Sequence, residues 1–363
     1  MQALVVFLFL LSFNVQAKED LRVMFYNVEN LFDTVHDEGK NDFTYTPKGT
    51  KGKTEACEKI SYHRYKKECH KTSWTEDKLK LKLNQIKRVV DEVRPKPQIL
   101  GLCEIENENV VSMLAKKLGY KSFIVSDSPD KRGIDLAILY NENKELKYVS
   151  KKEHSLKGKM FEEKPSRNIL EGNFKYEGKN LSIFVNHWPS LSNPTETRLI
   201  AAKTLKARID QILKADKNHA ILAIGDFNTI PTNYPHPFES VLLSDKSMRD
   251  LDTTYRKDRS IGWDVKNKQP LGTYFYARAM TWNLLDRIFF SSNLLDQKGF
   301  EIDVASYRIF SPEFITRTFI YERKGEYLYG SKVNGVPARY NHQAKNSKTA
   351  GFSDHFALYV DLK

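Results

Sequence analysis

The chain has 363 residues, 40% of them apolar and 29% charged, which leaves ample length for a buried core and excludes bulk disorder. Its formal net charge is +12, which favours anionic partners such as nucleic acid, acidic lipid or a cell-surface polymer. No segment is long and apolar enough to read as a transmembrane span, which takes about 20 residues.

Residues 1–17 stand apart from the rest. An uncharged apolar run covers residues 4–13, Val15-Gln16-Ala17 offers small residues at a cleavage position, and Lys18-Glu19-Asp20 opens a polar mature end. This is the pattern of a secretory signal peptide, although the leading residues lack Lys and Arg. It predicts a secreted or periplasmic protein whose residues 18–363 form a single domain. A monomer with no stable protein partner is the default.

Strand formers alternate over residues 21–28. Residues 37–75 form a polar, charged insertion holding Cys57 and Cys69. An exported protein would oxidise this pair to a local disulfide. With His63 and His70 nearby, a zinc site is the alternative, but no second pair at ligand spacing supports it. Residues 76–93 place Leu79, Leu83, Ile86, Val89, Val90 and Val93 at helical spacing, and Pro95 and Pro97 stop the helix. Residues 99–104 form a short apolar strand in which Cys103 reads as a buried small hydrophobe. A second helix spans 109–118 and ends at Gly119. Strands follow at 134–140 and 181–187, a long helix at 195–213 behind Pro194, and strands at 220–226, 285–291 and 355–362. A second insertion, 316–350, is basic, with Tyr321, Tyr327, Tyr329 and Tyr340 among Arg317, Arg323, Lys324, Lys332, Arg339 and Lys345. Lys and Arg hold phosphates while rings stack on bases, so this composition suits nucleic acid. A solvated surface flap is the alternative reading.

Several apolar runs end in residues capable of chemistry: Asn27, Glu104, His187, Asp226 with Asn228, Asp286, and Asp354 with His355. A lone Asp after a strand is usually a turn residue, but a series in this order suggests a site along one rim of a sheet. Hydrolysis of a phosphodiester needs a hard cation held by carboxylates, a group that orients or deprotonates water, and donors for the extra charge of the transition state. These residues supply all of them. The sequence contains neither a serine nucleophile elbow nor a phosphate-cradling glycine loop.

The strings Asn27-Val28-Glu29-Asn30-Leu31-Phe32, Glu104-Ile105-Glu106-Asn107, Arg132-Gly133-Ile134-Asp135, Asn186-His187-Trp188, Gly225-Asp226-Phe227-Asn228, Leu285-Asp286-Arg287 and Ser353-Asp354-His355 resemble the endonuclease/exonuclease/phosphatase family, in the family's order, from about residue 21 onward. The resemblance implies a four-layer α/β sandwich, two packed and mostly antiparallel sheets with helices outside. It also implies roles. Glu104 would be the principal metal ligand with Asn27 beside it, Asp354 a metal-side carboxylate, and the ion Mg²⁺, Mn²⁺ or Ca²⁺. Asp226 would position or deprotonate water, and Asn228 would hold a phosphate oxygen. His187 and His355 would donate to the phosphate or leaving group, and Asp286 would pair with a histidine. Arg132 and Arg167 are candidates to reach substrate phosphate, and Glu106 is the runner-up metal ligand.

The expected function is that of a secreted, metal-dependent phosphodiesterase hydrolysing DNA or RNA. A phospholipase or sphingomyelinase, a small-molecule phosphatase, and a non-catalytic binding protein on the same scaffold are the alternatives.

Overall fold

The computed structural model describes residues 20–363; the expected signal peptide lies outside them. Strands β1 to β4 are Leu21–Leu31, Ile99–Ile105, Ser122–Val125 and Asp135–Tyr140. Strands β5 to β9 are Leu146–His154, Ile169–Tyr176, Lys179–His187, Ala220–Asp226 and Met248–Asp250. Strands β10 to β16 are Tyr274–Tyr276, Thr281–Asn283, Asp286–Ser291, Ile302–Phe310, Thr316–Ile320, Lys332–Pro337 and Ala357–Leu362. The helices are α1 Lys53–Glu58, α2 His63–Lys71, α3 Glu76–Glu92, α4 Glu108–Leu118, α5 Lys159–Glu163, α6 Thr195–Ala215, α7 Leu251–Lys257 and α8 Trp263–Lys266.

Two mixed six-stranded sheets result, ordered β13-β16-β1-β2-β4-β3 and β5-β6-β7-β8-β12-β9. Each holds one parallel pair, β1 with β2 and β7 with β8, and its other pairs are antiparallel. A parallel pair needs a crossover that returns the chain to the same end. The helices α3 and α6 lie in those crossovers. The C-terminal ends of β1 and β2, and of β7 and β8, therefore carry Asn27, Glu104, His187 and Asp226.

The sheets pack face to face, with α3 and α4 covering one outer face and α6 the other. This is the expected four-layer sandwich. Gly101 of β2 marks how closely the sheets approach. A Cβ there would lie 2.7 Å from Ile224 Cδ1 and 3.1 Å from Val185 Cγ2, both on the opposing sheet. On the far side of the second sheet, α6 buries Ala201, Ala202, Leu205 and Ile209 against Phe184, Phe227 and Phe289. Asn107 caps α4 by accepting from Val110 N at 3.1 Å, and Gly119 ends it in the left-handed conformation.

The insertion at 37–75 is folded. It carries α1 and α2, and the Cys57–Cys69 disulfide joins them, with 5.5 Å between the Cα atoms. Both thiols are thereby taken from the zinc alternative. The insertion at 316–350 contains the β14–β15 hairpin. Two of its four tyrosines are unavailable for stacking. Tyr321 is buried and donates to Glu326 within the hairpin region, and Tyr340 is buried against Trp74 with Lys82 Nζ 3.9 Å from its ring centre. Tyr327 and Tyr329 are exposed.

Candidate active site

The site begins where β1 and β2 leave regular pairing. Their register breaks between Asn27 and Leu31, and that of β2 with β4 breaks between Cys103 and Ile105. Within these breaks Glu29, Asn30 and Glu104 have φ of 53°, 60° and 60°. Non-glycine residues rarely sit there, and such strain gathers at functional sites. The irregularity brings Asn30 N to 3.1 Å from Glu104 Oε2. Asn27 Nδ2 reaches both Glu104 Oε1 and Asp226 Oδ2 at 3.3 Å, while Asn27 Oδ1 accepts from Glu29 N at 3.0 Å. Asn27 thus faces the two carboxylates with its amide N–H₂.

Asp226 ends β8, paired in register with Asp286 at the start of β12. The preceding Gly225 is required by crowding: a Cβ there would lie 2.3 Å from Asn186 O, and its φ is +156°. Asp226 Oδ1 accepts from Asn228 N at 3.0 Å. His187 Nε2 lies 3.7 Å from Asp226 Oδ2 and 3.8 Å from Glu104 Oε1. From the other side, His355 Nε2 is 4.0 Å from Asp226 Oδ2 and 4.0 Å from Asp354 Oδ1, and its Nδ1 is 2.7 Å from Asp286 Oδ2. Asn228 donates from Nδ2 to Trp188 O at 3.2 Å, tying the His187 turn to the Asp226 loop. The structure brings together Asn27, Glu104, His187, Asp226, Asn228, Asp286, Asp354 and His355.

Electrostatics separate the two histidines. Burial disfavours the charge on His355, yet Asp286 and then Asp226 hold it well above the ordinary histidine range. Burial, with Arg167 and Arg132 adding, puts His187 well below that range. Burial raises Asp226 above the ordinary carboxylate range; His355 opposes this, while Asp286 and Glu104 add to it.

The two candidate arginines part company. Arg167 is buried, and three of its nitrogens are engaged: Nε with His187 O at 3.1 Å, Nη2 with Trp188 O at 2.7 Å and Nη1 with Asp130 Oδ2 at 3.1 Å. It secures the turn that carries His187. Arg132 is about half exposed and pairs with Asp130 through Nε and Nη2. Glu106, the runner-up ligand, turns away from the cluster; it accepts from Asp33 N at 2.8 Å, and burial pushes its carboxyl up to about 9.

The sequence assigned no catalytic or metal role to Glu29, Arg339 or Tyr274. Glu29 is buried and accepts from the Arg339 side chain and from Tyr340 N at 2.8 Å. Arg339 Nη2 in turn lies 3.8 Å from Asp354 Oδ2. The Tyr274 ring sits 4.9 Å from that of His355. Ser353 Oγ donates to Asn27 O at 2.7 Å and accepts from His355 N at 3.1 Å, binding the two ends of the chain at the site.

The Endonuclease/Exonuclease/phosphatase family matches residues 58–363. The chain belongs to this family. No curated protein matches it in sequence. Solved structures share the fold: a mannosyl-6-phosphatase of Bacteroides thetaiotaomicron, 17% identical over 94% of this chain and 99% of that one, has a TM-score of 0.54. The human Nocturnin catalytic domain with bound sulfate is 15% identical over 95% and 94%, with a TM-score of 0.53. TDP2 of D. rerio, complexed with single strand DNA product, is 14% identical over 95% and 100%, with a TM-score of 0.51. The β1 strand precedes the matched segment yet pairs between β16 and β2 in the family fold.

Members of the endonuclease/exonuclease/phosphatase family are metal-dependent phosphoester hydrolases, and the donor set here fits a hard divalent ion. Ligand atoms of Asp226, Asp286 and His355 also lie within 4.8 Å of one another, with His355 and Asp286 engaged as a pair. Asp286 Oδ1 and His187 Nδ1 are buried without a hydrogen-bond partner among the described residues. Glu104 and Asp354 keep access to solvent, with side chains 18% and 22% exposed. That exposure suits an ion that retains several waters.

Proposed function

We infer that the chain is an exported, divalent-metal-dependent phosphodiesterase whose substrate is nucleic acid. The observation that carries the chemistry is the buried His355–Asp286 pair set across from Asp226 and His187, with the Glu104 carboxylate beside them. Glu104 and Asp354 would hold Mg²⁺, Mn²⁺ or Ca²⁺, which supplies charge neutralisation on the phosphoryl oxygens when bound. Asp226, its affinity for a proton raised by burial, orients the attacking water and takes its proton. His355, kept charged by Asp286, donates a hydrogen bond where negative charge grows on the phosphoryl group. His187 is neutral and directs one ring nitrogen to the carboxylate side. Asn228 and Asn27 position Asp226, and Arg132 lies close enough to steer an anion in.

The net charge of +12 and the arginines beside the site support a polyanionic substrate. The similar folds include one holding single strand DNA product and one named for a sugar phosphatase, so the surface has to discriminate between substrates. Export is supported by the apolar leader and by the disulfide, because such bonds persist in oxidising compartments. Among the described residues no helix is long and apolar enough to cross a membrane.

The test offers plasmid DNA, RNA, sphingomyelin and a phosphomonoester in parallel, with Mg²⁺ and with EDTA. Metal-dependent, salt-sensitive cleavage of DNA or RNA is expected. Turnover confined to the lipid or the monoester contradicts the choice of substrate.

A further inference from the structure

A cleft of about 530 Å³ opens from the Asp354 side of the site, between α2 and the hairpins β10–β11 and β14–β15. Both insertions that interrupt the sequence pattern contribute to it. Its lining includes Arg64, Arg278, Arg317, Arg323 and Arg339, opposed by the carboxylates of Glu322 and Asp354. Arg339 is committed to Glu29, and Arg323 lies 3.4 Å from Glu326. Among the described residues Arg64, Arg278 and Arg317 are exposed and form no ion pair and no side-chain hydrogen bond. Clustered like charges repel, and an anion bound among them relieves that repulsion.

Rings stand among these cations. Tyr62 is 61% exposed and Tyr276 is 42% exposed, and both line the cleft. Phe319, also in the lining, packs on Phe275 with ring centres 5.5 Å apart. Exposed ring faces beside guanidinium groups offer unpaired bases a place to stack while their phosphates are neutralised. A duplex keeps its base faces hidden, and a lipid site would call for an apolar lining.

The cleft is continuous with the catalytic cluster. Asp354, Arg339 and Tyr274 belong to both, and the Tyr274 ring contacts that of His355. The helix α2 also supplies Tyr65 to a second cleft of about 610 Å³, where Arg132 and Arg167 lie. So α2 contributes to the walls of both clefts. It is fastened through the disulfide to α1, whose Lys53 Nζ donates to Thr46 O at 2.6 Å; Trp74 N also donates to Thr46 O, at 3.1 Å.

We propose that the arginine cleft is a subsite for single-stranded nucleic acid leading away from the scissile phosphate. Arg64, Arg278 and Arg317 hold its phosphates, Tyr62 and Tyr276 stack on its bases, and the disulfide-held α2 forms its wall. This rests on the phosphodiesterase reading above and specifies the form of nucleic acid it acts on.

The test separates binding from chemistry. Binding of fluorescein-labelled dT10 and rU10 is followed by anisotropy in EDTA, over a series of salt concentrations, with the disulfide intact. Hydrolysis of bis(p-nitrophenyl) phosphate in Mg²⁺ or Mn²⁺ reports fold and chemistry in the same preparations. The triple variant Arg64→Ala/Arg278→Ala/Arg317→Ala is expected to bind at least about ten-fold more weakly, with a salt slope smaller by about 0.7 for each phosphate that an arginine no longer neutralises. Tyr62→Ala/Tyr276→Ala is expected to weaken binding at least about five-fold. Both variants should hydrolyse the small diester like wild type. Unchanged oligonucleotide binding in the arginine variant, while wild type hydrolyses the small diester, overturns the subsite and leaves the phosphodiesterase standing. Unchanged binding in the tyrosine variant alone overturns the stacking of single strands. A wild type that does not hydrolyse the small diester overturns the phosphodiesterase reading and with it the role of the cleft as a substrate subsite.

Discussion

His355 Nδ1 lies 2.7 Å from Asp286 Oδ2, with both side chains buried and the second Asp286 oxygen unpartnered among the described residues. The carboxylate fixes the ring's orientation and keeps its proton. Asp286→Asn removes the charge and retains the shape. Turnover should fall roughly 10²–10⁴-fold, with KM moved far less. The sign of the pH effect follows from the raised pKa of His355: the charged ring persists below that pKa and is lost as pH rises through it. The alkaline limb of kcat in Asp286→Asn should therefore shift to lower pH. A pH–rate profile with an unmoved alkaline limb contradicts the pairing's role.

Asn27 bridges Glu104 and Asp226 through one amide nitrogen. Removing such a support of a ligand costs about 10–100-fold in metal affinity. Asn27→Ala should raise the Mg²⁺ concentration for half-maximal activity by that factor, and Glu104→Gln should cripple metal binding outright with the fold retained. Metal titration of activity, with circular dichroism as the control, checks both. Wild-type activity in Glu104→Gln would remove Glu104 from the site.

The two arginines beside His187 should respond differently to the same substitution. Lysine cannot reproduce the contacts Arg167 makes to His187 O, Trp188 O and Asp130. Arg167→Lys should lower Tm and kcat together. Arg132→Lys, on the exposed side of Asp130, should leave Tm within experimental error and raise KM for an oligonucleotide. Thermal melts and steady-state kinetics on the pair decide this, and an unchanged Tm in Arg167→Lys contradicts its structural role.

Far from the site, Glu171 is fully buried between His154 and Arg208, with contacts of 2.6 and 2.8 Å. Burial alone would raise its carboxyl; hydrogen bonds from Arg208 and His154 outweigh this and hold it at about 2. A depressed folded-state pKa stabilises above the unfolded value, and that stabilisation fades as pH falls through the folded one. Stability should decline between about pH 4.5 and 2. Glu171→Gln should cost on the order of 3 kcal/mol at neutral pH and flatten that decline. Denaturant melts across the acid range measure it.

The strands that end at the site were legible because each is buried on both faces and carries its polar residue directly after an apolar run. Residues 220–226 coincide with β8. Edge strands gave no such signal: β5 buries only Leu146 at its start, and the rest of its sequence faces solvent or the half-buried rim. The short helices α1 and α2 have no apolar stripe; they bury Lys53, Cys57 and Cys69 and are joined by the disulfide. The eight catalytic candidates were readable as strings, but their support was not. Glu29 and Arg339 meet across 310 positions, and no local pattern announces such a pair. The partners of Arg167 were not readable, because a sequence does not show which backbone carbonyls will turn toward a guanidinium.

The most direct measurement is cleavage of a labelled oligonucleotide by wild type and by Asp226→Asn, in Mg²⁺, in Mn²⁺ and in EDTA. Wild type should cleave with metal and stop in EDTA, and Asp226→Asn should be slower by at least about 100-fold while binding the oligonucleotide normally. Cleavage that persists in EDTA, or an Asp226→Asn enzyme as fast as wild type, would contradict metal-assisted hydrolysis at this site.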